Sequence, residues 1–244
     1  MSAVRVRQGR DVLDAAIERV RDLMREGHRI VVSFSAGKDS GVALEVALIA
    51  ARLEGRLPLD VVMRDEEIMY PGTYEYAERV AARNEVRFSW LVARQPIVNI
   101  FNREQPYYWA FDPRLLPEQW VRRPPAIAQE IPEINIESIV TPKRFPPYRN
   151  GKDLVTVLGL RVSESHGRLF GLFSAGGHLT KPGRHGVRHC WAVYDWTDGD
   201  VWKAIHDHGW DYNKAYDTLY QMGLPPRRLR IAPPAINGAS AASL

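Results

Sequence analysis

The spacing of apolar and polar residues predicts helices and strands that alternate along the chain. Apolar residues recur at helical intervals over residues 11–25, and Gly27 follows them as a stop signal. An apolar, β-branched run then predicts a strand at Ile30–Phe34. The good helix formers beyond this strand predict a buried helix that ends near Gly55.

The same patterns predict the rest of a sheet and its helices. They give strands at Leu59–Met63, Val86–Val92 and Leu154–Leu160, and helices at Thr73–Asn84, Asp198–His208 and Asn213–Met222. Strands separated by helices at this spacing indicate a parallel sheet with helical crossovers, which predicts the α/β class.

The middle of the chain differs from its two ends in composition. Residues 94–150 are rich in proline and aromatic residues, as in Gln105–Trp109 and Phe145–Tyr148, and predict an irregular insertion. A chain of 244 residues is long enough for one domain with such an insertion. We therefore expect a single domain over residues 1–235, followed by a flexible tail at 236–244.

Composition argues against several classes of protein. No apolar stretch approaches the roughly 20 residues that a membrane span needs, and the N-terminal arginines precede no apolar secretory signal. The single cysteine, Cys190, excludes an internal disulfide and an iron–sulfur cluster ligated by cysteines of this chain alone. These features predict a cytoplasmic protein that does not enter a membrane.

Positive charge is concentrated in one part of the chain. The net charge is +4, whereas residues 141–191 contain nine Lys or Arg against Asp153 and Glu164, a local net charge of +7. A solvated basic face is one interpretation. The other is a binding surface for a polyanion, such as nucleic acid or a multiply phosphorylated nucleotide. The candidate anion-binding residues are Lys143, Arg144, Lys181, Arg184 and Arg188.

The stretch most informative about function is Ser33–Ser40, Ser-Phe-Ser-Ala-Gly-Lys-Asp-Ser, between the first predicted strand and the next helix. A loop of small residues at a helix N-terminus offers free backbone N–H groups and the positive end of the helix dipole, which suits phosphate. It is not a Walker A loop, because Val32 replaces the first glycine and Asp39 replaces the Ser or Thr after the lysine. The dinucleotide-binding glycine spacing is absent as well. A tight turn capped by Asp39 or Ser40 is the purely structural alternative.

Four further segments follow the loop in a characteristic order. Acidic residues end the second predicted strand at Met63–Glu67, and a Gly-x-Arg-x-x-Glu-Ser-x-x-Arg segment occupies Gly159–Arg168. An Asp-Trp-Thr-x-x-Asp-Val-Trp helix start lies at Asp195–Trp202, and Tyr-Asn-x-x-Tyr-Asp lies at Tyr212–Asp217. With the loop, these motifs resemble the phosphoadenylyl-sulfate (PAPS) reductase-like branch of the PP-loop ATP pyrophosphatases, over about residues 28–222. The family's Ser-Gly-Gly-x-Asp-Ser loop carries Ala36 here in place of its first glycine.

The resemblance implies a doubly wound, three-layer α/β sandwich of the adenine nucleotide α-hydrolase (HUP-like) type. It implies ATP and Mg²⁺ as cofactors and cleavage of ATP to AMP and pyrophosphate. Lys38, Asp39, Arg161 and Arg168 take the catalytic positions, with Asp39 as the magnesium ligand and Asp65 as a second candidate. The implied ATP contacts are Ser33, Phe34, Ser35, Ala36, Gly37, Lys38, Asp39, Ser40, Asp65, Gly159 and Arg161.

Two departures from the family's pattern narrow the function. The sulfate-reducing members end in a Glu-Cys-Gly-Leu-His tail, which this chain lacks. The family's Asp-Thr-Gly after the second strand is Asp65-Glu66-Glu67 here. Among relatives with few cysteines, the chain is most similar to the ATP pyrophosphatases of DNA phosphorothioation systems.

That similarity implies adenylation of a DNA backbone phosphate for sulfur insertion, with a separate cysteine desulfurase as sulfur donor. A sulfonucleotide (PAPS or APS) reductase, a sulfate-activating enzyme and a nucleotide-binding regulator without turnover are the alternatives. The oligomeric state, including a homo-oligomer, stays open.

Several residues carry a structural interpretation beside the functional one. Arg161 can pair structurally with Glu164 or Asp65, and Trp196, Trp202 and Tyr216 have the pattern of core aromatics. Cys190 is expected to be a buried small hydrophobe, with a persulfide carrier as the alternative. His185 and His189 have the i, i+4 spacing of zinc ligands, but the prolines and glycines around them disfavour a helix and the four-ligand pattern is absent.

Overall fold

The computed structural model of the protein describes residues 9–70, 72–98, 103–104, 106–132, 139–148, 151–183 and 186–231. Within these residues the strands are β1 (Arg29–Ser33), β2 (Leu59–Arg64), β3 (Val86–Val92), β4 (Gln95–Val98), β5 (Tyr107–Ala110), β6 (Ala128–Glu130), β7 (Leu154–Val157) and β8 (Val187–Cys190). The α-helices are α1 (Val12–Arg25), α2 (Lys38–Leu53), α3 (Thr73–Ala81), α4 (His166–Ser174), α5 (Asp198–Asp207) and α6 (Ala215–Gln221).

Six of these strands form one sheet in the order β6–β3–β2–β1–β7–β8, and every pairing in it is parallel. The chain winds outward from β1 in one direction to β6 and then returns to the other side of β1 for β7 and β8. The order therefore reverses between β1 and β7, and ligands of open parallel sheets bind at such a switch point, beyond the carboxyl ends of the strands. The strands β4 and β5 form a separate antiparallel pair.

Side chains of alternate residues along the strands build two different cores. Ile30 and Val32 of β1 face the larger core, which they share with the buried residues of α1 and α2, whereas Val31 faces the smaller one. The smaller core is covered by Val140 and Phe145 of the insertion. This alternation with both faces buried is the expected pattern of a parallel sheet, and it confirms the predicted α/β three-layer class.

The helix N-termini follow from local capping chemistry. Asp11 caps α1 by accepting a hydrogen bond from the Leu13 N–H at 2.7 Å. Thr197 and Asp200 form a reciprocal capping box at the start of α5, where each side chain satisfies a backbone N–H of the other residue. Such caps fix where a helix begins, which matters for α5 because its first residue lies in the candidate site.

The predicted elements occur close to their expected positions, with six differences. The third helix and the last helix are shorter than predicted, and the strand predicted at Leu154–Leu160 ends at Val157. The prediction missed α4 and the edge strand β8, and it treated residues 94–150 as irregular although β6 joins the main sheet there. The missed strands β4, β5, β6 and β8 are each only three or four residues long, too short for a periodic signal. The predicted tail at 236–244 lies outside the described residues.

None of the helices in the described ranges has the length and apolarity needed to cross a membrane.

Two buried carboxylates fasten the insertion to the end of β2. Asp65 is wholly buried and accepts hydrogen bonds from the Trp90 Nε1–H at 2.8 Å and from Arg122 Nη2 at 2.6 Å. Glu67, 1% exposed, accepts from the Tyr108 hydroxyl and the Val121 N–H, each at 2.6 Å, and also from the Phe111 N–H. Their partners Arg122, Tyr108, Phe111 and Val121 all lie in the insertion. The acidic residues after β2 therefore hold the insertion against the sheet.

Replacing Glu67 by Ala should lower the free energy of unfolding by about 3 kcal/mol, because it leaves the buried Phe111 N–H and two partly buried donors without their acceptor. Urea denaturation measures this change. Glu118→Ala is the matched control, since this exposed glutamate contacts only Arg123 at the surface, and it should change stability by less than about 0.5 kcal/mol. Equal effects of the two substitutions would mean that Glu67 does not anchor the insertion.

Candidate functional site

The loop after β1 is shaped by its own serines and by one tyrosine from α6. The Ser40 hydroxyl donates to the Gly37 carbonyl at 3.0 Å and accepts from the Ser35 N–H at 3.2 Å. The Tyr216 hydroxyl accepts a hydrogen bond from the Lys38 N–H at 3.0 Å. These contacts close the loop into a fixed turn at the start of α2.

The start of α2 presents unused backbone donors. The first hydrogen bond of the helix runs from the Gly41 N–H to the Gly37 carbonyl. Among the described residues, no acceptor contacts the N–H groups of Ala36, Gly37, Asp39 and Ser40. Unpaired N–H groups and the positive end of the helix dipole together form a site for an anion, phosphate above all.

Ala36 adopts a backbone conformation that normally selects glycine. Its φ is +56°, and a side chain in this left-handed region costs about 1 kcal/mol. Its carbonyl accepts a hydrogen bond from Asn213 Nδ2 at 3.2 Å, and the same amide donates to the Thr73 hydroxyl at 3.1 Å. The wholly buried Asn213 therefore ties the loop to the start of α3 and holds the turn in this conformation.

Two buried cations and two carboxylates meet beside the loop. Arg161 donates from Nε to Asp39 at 2.7 Å and from Nη2 to Asp198 at 2.8 Å. Lys38 Nζ lies 3.1 Å from Asp39 and 3.7 Å from Asp198. The Lys38 and Arg161 residues are only 3% and 1% exposed, so their charges must be matched by these carboxylates.

The side chain of Arg161 is also fixed from its remaining side. Its Nη1 donates to the Ser163 hydroxyl at 3.1 Å, and this hydroxyl donates to the Trp196 carbonyl at 2.9 Å. The Nε, Nη1 and Nη2 atoms of Arg161 thus each have a different acceptor side chain. The two structural pairings expected for Arg161 do not occur through its side chain: its partners are Asp39 and Asp198, and Glu164 contacts only its backbone N–H, at 3.4 Å.

Arg168 lies next to this cluster but has its own partner. It pairs with Glu164 at the preceding turn, and Ser165 caps α4 by accepting from the Arg168 N–H at 3.2 Å. Burial lowers the pKa of the Arg168 guanidinium, and the nearby Asp39 carboxylate acts in the opposite direction. Arg168 therefore adds a third positive charge at the edge of the site, oriented by Glu164.

Gly159 permits the close approach of two backbones at this point. A Cβ at position 159 would lie 2.5 Å from the Asp39 carbonyl oxygen and 2.6 Å from the Ser40 nitrogen. The chain after β7 therefore passes directly against the start of α2, which brings Arg161 to Asp39.

Three other predicted ATP contacts, Ser33, Phe34 and Asp65, lie in different surroundings. Ser33 ends β1, and the Phe34 ring points into the core, 5.3 Å from Tyr76 between ring centroids. The Phe34 N–H donates to the Val62 carbonyl, so its backbone offers no free donor. Asp65 is wholly buried and committed to Trp90 and Arg122, so we remove it from the candidate ATP and magnesium contacts.

The predicted anion-binding residues differ in how far their charges are already paired within the protein. Arg144 donates to the Ile139 carbonyl over the smaller core, and burial lowers the pKa of its guanidinium. Arg188 donates to the Thr180 carbonyl and lies 3.7 Å from Asp153. Lys143 and Lys181 are exposed, and Arg184 lies outside the described residues.

Cys190 and the histidines near it show no metal centre. Within the described ranges no group of three or more His, Cys, Asp or Glu side chains is arranged to hold a metal ion, and His185 lies outside these ranges. Cys190 is wholly buried at the end of β8, as predicted, and burial raises the pKa of its thiol to about 12. A buried protonated thiol is a poor nucleophile, which argues against a persulfide carrier.

Sequence reasoning missed three residues of the site. Asp198 neutralises both cations, Tyr216 holds the Lys38 N–H, and Asn213 holds the loop. Asp198 lies inside the Thr-x-x-Asp capping signal, which indicated only a helix start. Tyr216 and Asn213 belong to the Tyr-Asn-x-x-Tyr-Asp motif, so their position was noted but their contacts were not predictable from spacing.

Comparisons with known proteins support the fold and leave the activity open. No family model matches the chain. The chain is 27% identical over 255 residues to the uncharacterized protein YbdN of Escherichia coli K12 and covers 96% of itself but only 61% of that relative. It therefore spans about three-fifths of the length of this curated relative.

Solved structures share the architecture at low identity. The FMN adenylyltransferase of Candida glabrata superposes with a TM-score of 0.52 and 11% identity over 86% of this chain and 62% of that one. Yeast FAD synthetase in complex with FAD superposes with a TM-score of 0.50 and 12% identity, over 88% of this chain and 66% of that one. For the PAPS reductase of Candida auris the TM-score is 0.48 and the identity 14%, over 92% of this chain and 96% of that one. The first two matches show that the chain has the fold of these nucleotide enzymes, which confirms the predicted fold class.

Gly159→Ala should destabilise the protein by about 1–3 kcal/mol, because the new methyl group meets backbone atoms that cannot move aside independently. Urea denaturation measures the change. In Gly183→Ala the added Cβ meets, among the described residues, the Val187 carbonyl at an ordinary 3.5 Å, so this control should stay near wild type. An unchanged stability of Gly159→Ala would contradict the close approach of β7 and α2.

Cys190 should react with a thiol reagent more than about 100-fold more slowly in the native protein than in the denatured chain, because burial disfavours its thiolate. The chain has one cysteine, so dithionitrobenzoate absorbance reports this thiol alone. Rapid labelling of the native protein would show that Cys190 is accessible and would restore the persulfide hypothesis.

Proposed function

We propose that this chain binds ATP at the loop after β1 and transfers its AMP moiety to an acceptor, with release of pyrophosphate. The supporting observation is the cluster of Lys38, Arg161, Asp39 and Asp198 at the N-terminus of α2. It lies at the switch point of a parallel sheet, beside backbone N–H groups that have no acceptor among the described residues. Fixed cations and free amides next to each other suit a polyphosphate whose charge increases on one side as a bond breaks.

The comparisons agree with this class of reaction. The FMN adenylyltransferase of Candida glabrata has been solved with FAD and inorganic pyrophosphate, and that structure matches this chain with a TM-score of 0.50 at 13% identity. Its name describes transfer of an adenylyl group. At this identity the match supports a shared fold, and the assignment of the reaction to this chain rests on the site.

Each residue of the cluster has a distinct role in the proposed reaction. The free N–H groups of the loop and Lys38 stabilise the departing pyrophosphate, whose negative charge grows as the α–β bond breaks. Arg161, held in place by Ser163 and the carboxylates, presents a planar guanidinium at the α-phosphate. Arg168 orients the anionic acceptor for attack on the α-phosphorus, which requires positioning more than acid–base chemistry.

The carboxylates fit a magnesium ion as cofactor. Asp39 and Asp198 share Arg161 as a partner, and their side chains are 17% and 34% exposed, so each retains oxygen lone pairs open to the site. Mg²⁺ typically binds one or two carboxylates together with phosphate oxygens and waters. Asp39, with Asp198 in place of Asp65, would hold it. Bound there, it would neutralise phosphate charge.

The finer proposal names the acceptor as a DNA backbone phosphate that is activated for sulfur insertion. A phosphate oxygen cannot leave as oxide, so adenylation converts it into a leaving group: the oxygen attacks the α-phosphorus of ATP and pyrophosphate departs. The outer sulfur of a persulfide then attacks the DNA phosphorus and displaces AMP, and a thiol reductant cleaves the S–S bond between the new phosphorothioate and the sulfur carrier. Burial of Cys190 raises the pKa of its thiol and disfavours it as a sulfur carrier, so in this proposal a separate cysteine desulfurase in the cytoplasm supplies the sulfur. The excess of positive charge in residues 141–191 supports a polyanionic acceptor.

One observation favours a second candidate, a nucleotide-binding regulator without turnover. Lys38 and Arg161 are already neutralised by Asp39 and Asp198 within the protein. An intramolecularly satisfied site can bind a nucleotide by exchanging partners without lowering a reaction barrier. ATP binding without pyrophosphate release, in the presence of every acceptor tested, would support this function.

Lys38→Ala and Asp39→Ala should each reduce pyrophosphate release at least about 100-fold, because each removes a charge that is positioned for the transition state. The measurement uses α-labelled ATP with duplex or single-stranded DNA, a cysteine desulfurase and cysteine, and follows labelled AMP and pyrophosphate. Lys203→Ala is the control, since this exposed lysine pairs only with Asp207 and should retain full activity. Unchanged release by both loop variants would refute the assignment of the site.

A further inference from the structure

The helix α4 carries an apolar face that no part of the described protein covers. Four of its nine residues are Leu or Phe, yet none of its residues is buried. Phe170 and Phe173 are 69% and 72% exposed, and they are the only exposed phenylalanines among the described residues. Residues three apart on a helix share one face, so the two rings form one apolar surface. Isolated exposed apolar residues need no explanation, whereas two adjacent aromatic rings on an otherwise unburied helix do.

The opposite side of α4 explains why the helix is nevertheless ordered. A Cβ at Gly171 would lie 3.3 Å from the Trp191 indole, so the helix backbone packs closely against that ring. Ser165 caps the first turn, and Arg168 there pairs with Glu164. The helix is thus held by its N-terminus and its glycine, and the Phe170–Phe173 face is left outward.

The charge around this face selects one class of occupant. From Ser165 to Tyr194 the chain has no Asp or Glu, while it has four Lys or Arg and four histidines. Trp191 connects α4 to this basic stretch. The backbone N–H of Trp191 donates to the carbonyl of His178, which lies three residues before the exposed Lys181. Exposed aromatic rings in a stretch with an excess of positive charge complement the bases and phosphates of nucleic acid, whereas a neutral apolar partner would leave that charge unmatched.

We infer that the Phe170–Phe173 face of α4 binds single-stranded nucleic acid, with bases stacked on the two rings and the backbone following Lys181. Stacking on an exposed ring needs an unpaired base, since bases in a duplex are stacked on one another. The N-terminus of α4 adjoins Arg161 and Arg168, so a strand on this face extends to the proposed adenylation site. The inference thus adds to the proposed function how the acceptor is held, and in that respect the inference rests on the proposed function.

The test measures binding of labelled 20-nucleotide dT and U oligomers and of a 20-base-pair duplex by fluorescence anisotropy. The wild type should bind the single strands more tightly than the duplex, and the dT and U arms distinguish DNA from RNA as the source of the strand. Phe170→Ala/Phe173→Ala should weaken single-strand binding by at least about tenfold, because two stacking platforms are lost. Neutralising Lys181 as Lys181→Gln should reduce the slope of log affinity against log salt by about 0.7.

Tyr107→Ala/Tyr220→Ala is the matched control, because it removes two exposed aromatic rings elsewhere on the protein. It should leave the affinity unchanged, and thermal unfolding of both double variants should match wild type since no buried side chain is altered. Equal affinity of Phe170→Ala/Phe173→Ala and wild type overturns the inference, as does absence of single-strand binding by wild type. If that variant converts a dimer of the protein to a monomer without losing affinity for the oligonucleotides, the inference is also overturned. The face is then a contact between copies of this chain.

Pyrophosphate release is followed on the same samples and separates this inference from the proposed function. Oligomer binding that depends on the two phenylalanines, without any pyrophosphate release, supports the binding face and refutes the adenylating activity. If the protein releases pyrophosphate but its affinity for the oligonucleotides does not depend on the two phenylalanines, the binding face is refuted and the adenylating activity is not.

Discussion

The arrangement of the candidate site depends on one buried guanidinium. Arg161 follows β7, yet its donors reach Asp39 at the start of α2 and Asp198 at the start of α5. Removing one partner of a buried ion pair typically costs about 3–5 kcal/mol, because the other charge is left in a poor solvent. Three elements distant in sequence are therefore held in one geometry at the switch point of the sheet. Gly159 makes this possible by letting the two backbones touch.

The carboxylates at this edge of the sheet serve two different purposes, and their surroundings decide which. Asp39 is partly exposed and neutralises two cations beside unpaired N–H groups, which is the environment of a ligand site. Asp65 is wholly buried, and burial raises its pKa while Trp90 and Arg122 donate to it. Two aspartates at one edge of the sheet thus differ: Asp39 stays open to the candidate site, whereas Asp65 anchors the insertion.

The insertion and the helix α4 place unusual features beside the candidate site. The insertion closes the side next to β2 through Glu67, whose carboxylate collects three donors from residues 108–121. On the other side, α4 presents two exposed phenyl rings in a stretch without carboxylates. The unpaired N–H groups of the loop, the fastened insertion and the exposed phenyl rings are the features on which the proposals for a nucleotide and a polyanionic acceptor rest.

The sequence by itself determined the parallel α/β class, the positions of β1, β2 and β3, and the loop with Lys38 and Asp39. Hydrophobic periodicity and turn-forming residues are local properties of the sequence, and the signals they give are strong where strands are long and apolar. Only the tertiary structure decided that Asp198 and Tyr216 belong to the site, that Asp65 does not, and that β8 forms the edge of the sheet. Those outcomes depend on hydrogen bonds between residues up to 178 positions apart, such as Lys38 and Tyr216, and no local pattern encodes such partners.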